Sequence, residues 1–210
     1  MDETLLGGVV LFNAGEYRPV WTACDLIRQQ EDLSSDDQTT CTALEQSATA
    51  IESAQDHRWV NTTTAAHNAT TKLARIRRSH SSIIGNRLYE YLSALSDDPA
   101  VIERHRVPPW YVDKERPTVA TLRFDAIGYA ASAIASHTDN IDTDIIADAV
   151  QYGHKETVPD SKSYNEPRGF IGTLSVFVRD PDHRGLIYRR LRSNVERRRQ
   201  REQDINGLFK

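Results

Sequence analysis

The sequence predicts an all-α protein: helical hairpins packed as a bundle, followed by a C-terminal helical subdomain that ends in a long arginine-rich helix. Two observations carry this. Apolar residues recur at spacings of three and four along almost the whole chain, the period of a helix with one buried face. No alternating apolar/polar run longer than about four residues competes as a strand. A third observation divides the chain. Val107-Pro108-Pro109-Trp110 through Pro117 cannot be continuous helix, because proline lacks the amide donor and disfavours helix in the residue before it. The expected organisation is a helical-hairpin domain over 1–106, a proline-rich linker over 107–118 and a helical subdomain over 119–210.

The elements follow in order. Leu5, Leu6, Val9 and Val10 mark one face of a first helix, closed by Gly15 as a C-terminal cap. Pro19 suits the first turn of a second helix with the stripe Val20, Ala23, Cys24 and Ile27. A third stripe is Cys41, Leu44, Ala48 and Ile51; a fourth is Ala66, Ala69, Leu73 and Ile76. The polar turn Gln55-Asp56-His57-Arg58-Trp59 separates them. Ile84, Leu88, Tyr91, Leu92 and Leu95 line a fifth helix, and Ser96-Asp97-Asp98-Pro99 ends it and caps a short successor reaching about Arg104. Beyond the prolines, Leu122, Ala126, Ala130 and Ile134 form a stripe, and Asp142 is the N-cap of a helix bearing Ile145, Ile146, Ala149 and Val150. Residues 157–167 read as an exposed loop. Phe170, Leu174, Phe177 and Val178 begin the next helix; Asp180-Pro181-Asp182 stops it and starts the last, which packs through Ile187, Leu191 and Val195. His183 is placed in that last helix's first turn, as part of its cap.

Composition narrows the function classes. Among 210 residues no apolar run approaches the roughly 20 needed to span a bilayer. Met1 is followed by Asp2 and Glu3, without the basic start of a secretory signal. The expectation is a soluble, cytoplasmic protein with no membrane association. Cys24 and Cys41 are the only cysteines, each on an apolar stripe, and read as small buried residues rather than a disulfide or metal pair. There are 5 lysines against 21 arginines, and 18 Asp against 12 Glu, a balance that suits hydration in salt. The charge is uneven: residues 189–204 carry 7 arginines and 3 acids, against an overall net charge of −4.

The stretch Leu11-Phe12-Asn13-Ala14-Gly15-Glu16-Tyr17 resembles the signature turn of the domain of unknown function 309 family. There the turn joins the first two helices, and a His and, four residues on, a Glu follow on the second. The corresponding positions here hold Trp21 and Asp25, and the stretch Ala50-Ile51-Glu52-Ser53-Ala54 lacks the family's further His. Phe177-Val178-Arg179-Asp180-Pro181-Asp182-His183-Arg184-Gly185, Val195-Glu196-Arg197-Arg198-Arg199 and Asn206-Gly207-Leu208-Phe209 resemble the C-terminal region of the long archaeal, salt-adapted form, and residues 97–104 are similar to its middle. The resemblance implies an all-α fold and no activity. The first turn is also similar to a tetratricopeptide hairpin, but a single such turn does not make a stacked array.

Candidate residues follow from the turn and from the last helix. Asn13, Tyr17, Trp21, Asp25 and Glu52 form the candidate binding set. Asn13 and Tyr17 read as turn-fixing polar residues and Trp21 as a ring filling a groove. Asp25 and Glu52 on neighbouring helices form a carboxylate pair of the kind that holds a hard divalent cation, the basis of a divergent metal-dependent enzyme as one alternative. No two of the seven histidines lie three or four residues apart, so no helical metal-ligand pair is present. No Walker-type loop, G-x-G-x-x-G or G-x-S-x-G occurs either, and neither metal nor cofactor is expected. Arg190, Arg197, Arg198, Arg199 and Arg201 are candidates for nucleic-acid or partner contact. Positions 190, 197 and 201 share a helical face and 192 and 199 another, so salt-bridged packing on acidic neighbours is favoured and nucleic acid is the second alternative. The leading expectation is a non-catalytic module that binds a protein partner or a second copy of itself.

Overall fold

A computed structural model describes residues 4–29, 33–79, 86–156 and 168–208. Its described residues form ten α-helices and one 3-10 turn, with no strand beyond an isolated bridge between Val112 and Glu115. The chain is all-α. The helices are α1 (Leu5–Asn13), α2 (Tyr17–Arg28), α3 (Ser35–Gln55), α4 (Trp59–Ser79), α5 (Asn86–Asp97) and α6 (Val101–Arg104), then the 3-10 turn Val119–Thr121, then α7 (Phe124–Ser136), α8 (Thr143–Lys155), α9 (Gly169–Arg179) and α10 (Arg184–Leu208). None is long and apolar enough to cross a membrane. The expected loop over 157–167 and Ile84 lie outside the described residues.

The stripes place the core. Val20, Ala23, Cys24 and Ile27 of α2 are fully buried, as are Cys41, Leu44, Ala48 and Ile51 of α3, and α3 pairs along its length with α4. Both cysteines are free and buried. A hydrogen bond with Cys41, then burial, pushes the Cys24 thiol well above its ordinary value, which keeps it protonated and unreactive. Capping follows the sequence where a short polar side chain precedes the helix: Ser34 Oγ accepts from Asp37 N (3.1 Å) at α3, and Asp142 Oδ1 accepts from Asp144 N (2.9 Å) at α8. At α10 the cap differs from expectation. Asp180 Oδ1 accepts from His183 N (3.2 Å), so His183 precedes the helix and Arg184 opens it.

Helix α7 packs on both α1 and α2, and α9 joins it to α8 and α10. One apolar cluster consequently runs from Leu5 to Val195, across both sides of the stretch expected as a linker. That stretch carries Trp110, fully buried. Gly7 sets the α1–α7 approach: a Cβ there would lie 2.6 Å from the Ala126 carbonyl oxygen.

Candidate functional site

The α1–α2 turn is a Schellman motif. Gly15 N donates to Phe12 O (3.0 Å) and Glu16 N to Leu11 O (3.0 Å), with Gly15 at φ 81° in the left-handed region that glycine adopts without strain. The turn is anchored at long range through Asn13. Its Nδ2 donates to Trp110 O (3.0 Å), its Oδ1 accepts from Trp110 N (2.7 Å), and its own carbonyl accepts from Arg116 Nη2 (2.9 Å). Phe12 meets both Tyr17 (5.4 Å between ring centroids) and Trp110 (6.1 Å) edge to face. Asn13 is thus a clamp across 97 positions of sequence rather than a local turn-former.

From this turn α2 runs along α3 with a ladder of polar contacts. Arg18 Nε donates to Glu52 Oε1 (2.5 Å), Trp21 Nε1 to Thr49 Oγ1 (3.1 Å), and Arg28 grips both oxygens of Glu45 while also reaching Asp25 Oδ1 (3.0 Å). The ladder separates the two candidate carboxylates. Asp25 is an exposed partner of Arg28, and lies seven residues, about 10 Å of helix rise, beyond Arg18 and Glu52. The structure does not bring Asp25 and Glu52 together as a metal pair. Among the described residues no group of three or more His, Cys, Asp or Glu side chains is disposed to hold a metal ion. Trp21 is half-buried, bonded to Thr49 in the seam and outside the clefts described next.

Two clefts flank the turn. One, of about 280 Å³, is lined by Tyr17, Arg18, Glu52, Asp56, His137 and Thr138, among others. The other, of about 570 Å³, shares Gly15, Tyr17 and Gln55 with it and extends past Asn13 to the 102–107 segment. Glu52 is only 8% exposed; Arg18 occupies Oε1, while Oε2 is buried with no partner. Burial raises the Tyr17 hydroxyl, and burial followed by the neighbouring Tyr17 pushes Tyr91 up to about 12. His137, the residue that follows α7 at its C-terminus, bonds through Nε2 to Thr22 Oγ1 (2.9 Å) and closes one side. Sequence reasoning missed His137 and Thr138, whose position depends on how α7 docks on α2.

The adjacent α3–α4 turn shares this end of the molecule. Asp56 lines the first cleft and pairs with Arg58 (3.1 Å). His57, left-handed at φ 55°, lies 4.0 Å from Glu103 of the second cleft and stacks edge-on with Trp59 (4.9 Å). Trp59 is 38% exposed and Val60 79%.

The arginines of α10 sort into two classes. Arg192 pairs with Glu196 (2.7 Å), Arg198 with Glu202 (3.4 Å) while lying over the Tyr152 ring, and Arg199 with Asp148 of α8. Arg189, Arg190 and Arg201 have no ion-pair partner among the described residues, and Arg197 reaches only Asn194 and the Ser193 carbonyl. Helical spacing puts 190, 197 and 201 on one face and 199 opposite. A third cleft, about 340 Å³, is lined by Gly169, Phe170, Asn194, Arg197, Arg198 and Arg201. Arg184, which the sequence did not single out, is the buried member of the series. It donates to Glu16 Oε1 (2.9 Å) and to Phe177 O (3.3 Å), tying α10 to the first turn.

Compared with known proteins, the chain matches no family model, no curated protein and no solved structure.

Proposed function

We propose that the chain is a non-catalytic interaction module that docks a protein partner on the end formed by the α1–α2 turn, the α3–α4 turn and the segment after α6. The observation that carries this is the meeting of two clefts at Tyr17 beside exposed Trp59 and Val60. An exposed indole next to a valine, rimmed by charged side chains, is the composition of an interface anchor. The resemblance to the domain of unknown function 309 family supports the same reading. The frame Phe12, Asn13, Gly15 and Tyr17 is kept, while Trp21 and Asp25 stand where that family carries His and Glu.

The test is site-specific photo-crosslinking in cells from position 60, with position 71, an exposed site further along α4, as the control. Discrete crosslinked products from 60 that are absent from 71, and that disappear with Trp59→Ala, are the expected result. Equal products from both positions, or none from 60, refute the reading. Metal-dependent turnover abolished by Asp25→Ala would also refute it.

A further inference from the structure

We infer that the cleft between α10 and the start of α9 binds a nucleotide unit, with its phosphate on Arg197 and Arg201 and its base against the Phe170 ring. This site lies apart from the docking end proposed above and does not depend on it.

Several other cations of α10 are already engaged. Arg192, Arg198 and Arg199 have carboxylate partners, and Arg184 is buried against Glu16. Arg197 and Arg201, one helical turn apart, have none among the described residues, and both line the same cleft. Two like charges at that spacing repel each other and destabilise a helix slightly. A phosphate between them reverses the sign of that interaction, and the guanidinium fork matches phosphate oxygens two at a time. Asn194, held by Arg197 Nη2 at 2.5 Å, orients that fork. Arg198 supplies a third charge, steadied by Glu202 and by the Tyr152 ring 5.8 Å away.

The first turn of α9 would ordinarily compete for the anion, since its amides are free donors. Here two of them are taken: the Glu156 carboxylate accepts from Phe170 N (2.8 Å) and Ile171 N (3.2 Å). Phosphate recognition therefore falls to the arginines. Phe170 supplies the second half of the site. Its half-buried ring lines the cleft and is backed by Tyr152 at 5.2 Å, a supported aromatic surface of the kind on which bases stack whatever their sequence. A volume of about 340 Å³ is within the range of small-ligand clefts. A bare phosphate would leave the ring unused, and an acidic peptide would not need it.

The source of the nucleotide is either a free mononucleotide or one unit of a single strand, and the experiment separates them. The full chain is titrated by calorimetry at low ionic strength with adenosine diphosphate, inorganic pyrophosphate, a short single-stranded oligonucleotide and an oligo-aspartate peptide. Adenosine diphosphate should bind more tightly than pyrophosphate. Arg197→Ala with Arg201→Ala should weaken it about tenfold or more, while Arg189→Ala leaves it unchanged. Phe170→Ala should weaken the nucleotide and leave pyrophosphate where it was. Much tighter binding of the oligonucleotide, with a salt dependence that falls when the two arginines are removed, assigns the strand; similar affinities assign the free nucleotide. Circular dichroism and thermal midpoint confirm that each variant is folded. Absence of nucleotide binding, binding indifferent to the double substitution, or preference for oligo-aspartate overturns the inference.

Discussion

The α1–α2 hairpin, with two arginines, and the arginine-rich distal half of α10 use the residue in opposite ways. In the hairpin every arginine has a carboxylate on another element or on its own helix: Arg18 has Glu52, and Arg28 has Glu45 and Asp25. On α10, Arg190, Arg197 and Arg201 face outward without one among the described residues. The hairpin is also held by contacts that span most of the chain, Asn13 to Trp110 and Glu16 to Arg184. Distal α10 is tied to α8 by Arg199–Asp148 and Tyr152–Glu202. Arginine content alone does not distinguish a structural region from a binding one. What distinguishes them is whether another element delivers a carboxylate to each cation. Substitutions should therefore cost stability at the paired arginines of the hairpin and cost only binding at Arg197 and Arg201 of α10.

The largest effect is expected at Asn13. Asn13→Ala removes both partners of the Trp110 backbone in a part-buried setting. Leaving an amide and a carbonyl unsatisfied costs about 1–3 kcal/mol each when buried, so a loss of about 3 kcal/mol in chemical denaturation is expected. Asn13→Asp keeps the acceptor for Trp110 N and should lose less. A negligible loss for Asn13→Ala would mean that the hairpin is not the anchored region, and the comparison would fail.

Gly7→Ala comes next. Alanine favours helix by about 1 kcal/mol over glycine, but its Cβ would stand 2.6 Å from a backbone oxygen of α7, which cannot rotate away. Overpacking of about 3 kcal/mol outweighs the propensity gain, giving a net loss of about 2 kcal/mol. Gly8→Ala serves as the contrast. Its Cβ would meet side-chain atoms alone, the Leu44 tip at 2.9 Å and Cys24 Sγ at 3.9 Å, and the variant should lose less.

These two positions also mark where the sequence stops being informative. The buried faces of α2, α3 and α4 are legible because helical period is a local property, and each stripe residue there is in the core. Gly7 is not, because its use depends on where α7 comes to rest 119 positions later. The prolines flanking Trp110 mark a break in helix, but nothing local says that the indole between them is buried and clamped. The candidate site divides in the same way. Tyr17 and Glu52 could be picked out from the turn and the neighbouring helix, whereas His137 reaches the cleft only through α7 docking. Helical spacing alone grouped Arg190, Arg197 and Arg201. That Arg199 is paired and Arg201 is not required the position of Asp148 on α8.

A smaller effect separates the ends of the pH scale. Tyr91 carries a buried hydroxyl without a hydrogen-bond partner among the described residues, and its folded pKa of about 12 lies above the ordinary 10.0. The neutral phenol is favoured in the folded state, so its contribution is complete below pH 10. Above pH 10 the unfolded chain loses the proton first, and stability falls as pH rises towards 12. Tyr91→Phe should be neutral to mildly stabilising at pH 7, by about 0–1 kcal/mol, and should flatten the alkaline decline in denaturant midpoint. An unchanged alkaline slope in the variant would assign the decline to other groups.

The smallest change in stability is expected where the change in binding is largest. Arg197→Ala with Arg201→Ala removes two exposed side chains that make no ion pair among the described residues. It also relieves their mutual repulsion, and alanine is the best helix former. The denaturation midpoint should move by less than about 0.5 kcal/mol in either direction, the range of surface positions free of special contacts. Arg199→Ala, two residues away, breaks the contact to Asp148. It should cost about 1 kcal/mol, falling with added salt as a partly exposed pair does. Equal losses from the two variants would mean that the outward arginines have structural partners after all. A loss confined to Arg199 would show that one helix carries both uses of arginine, divided by its opposite faces.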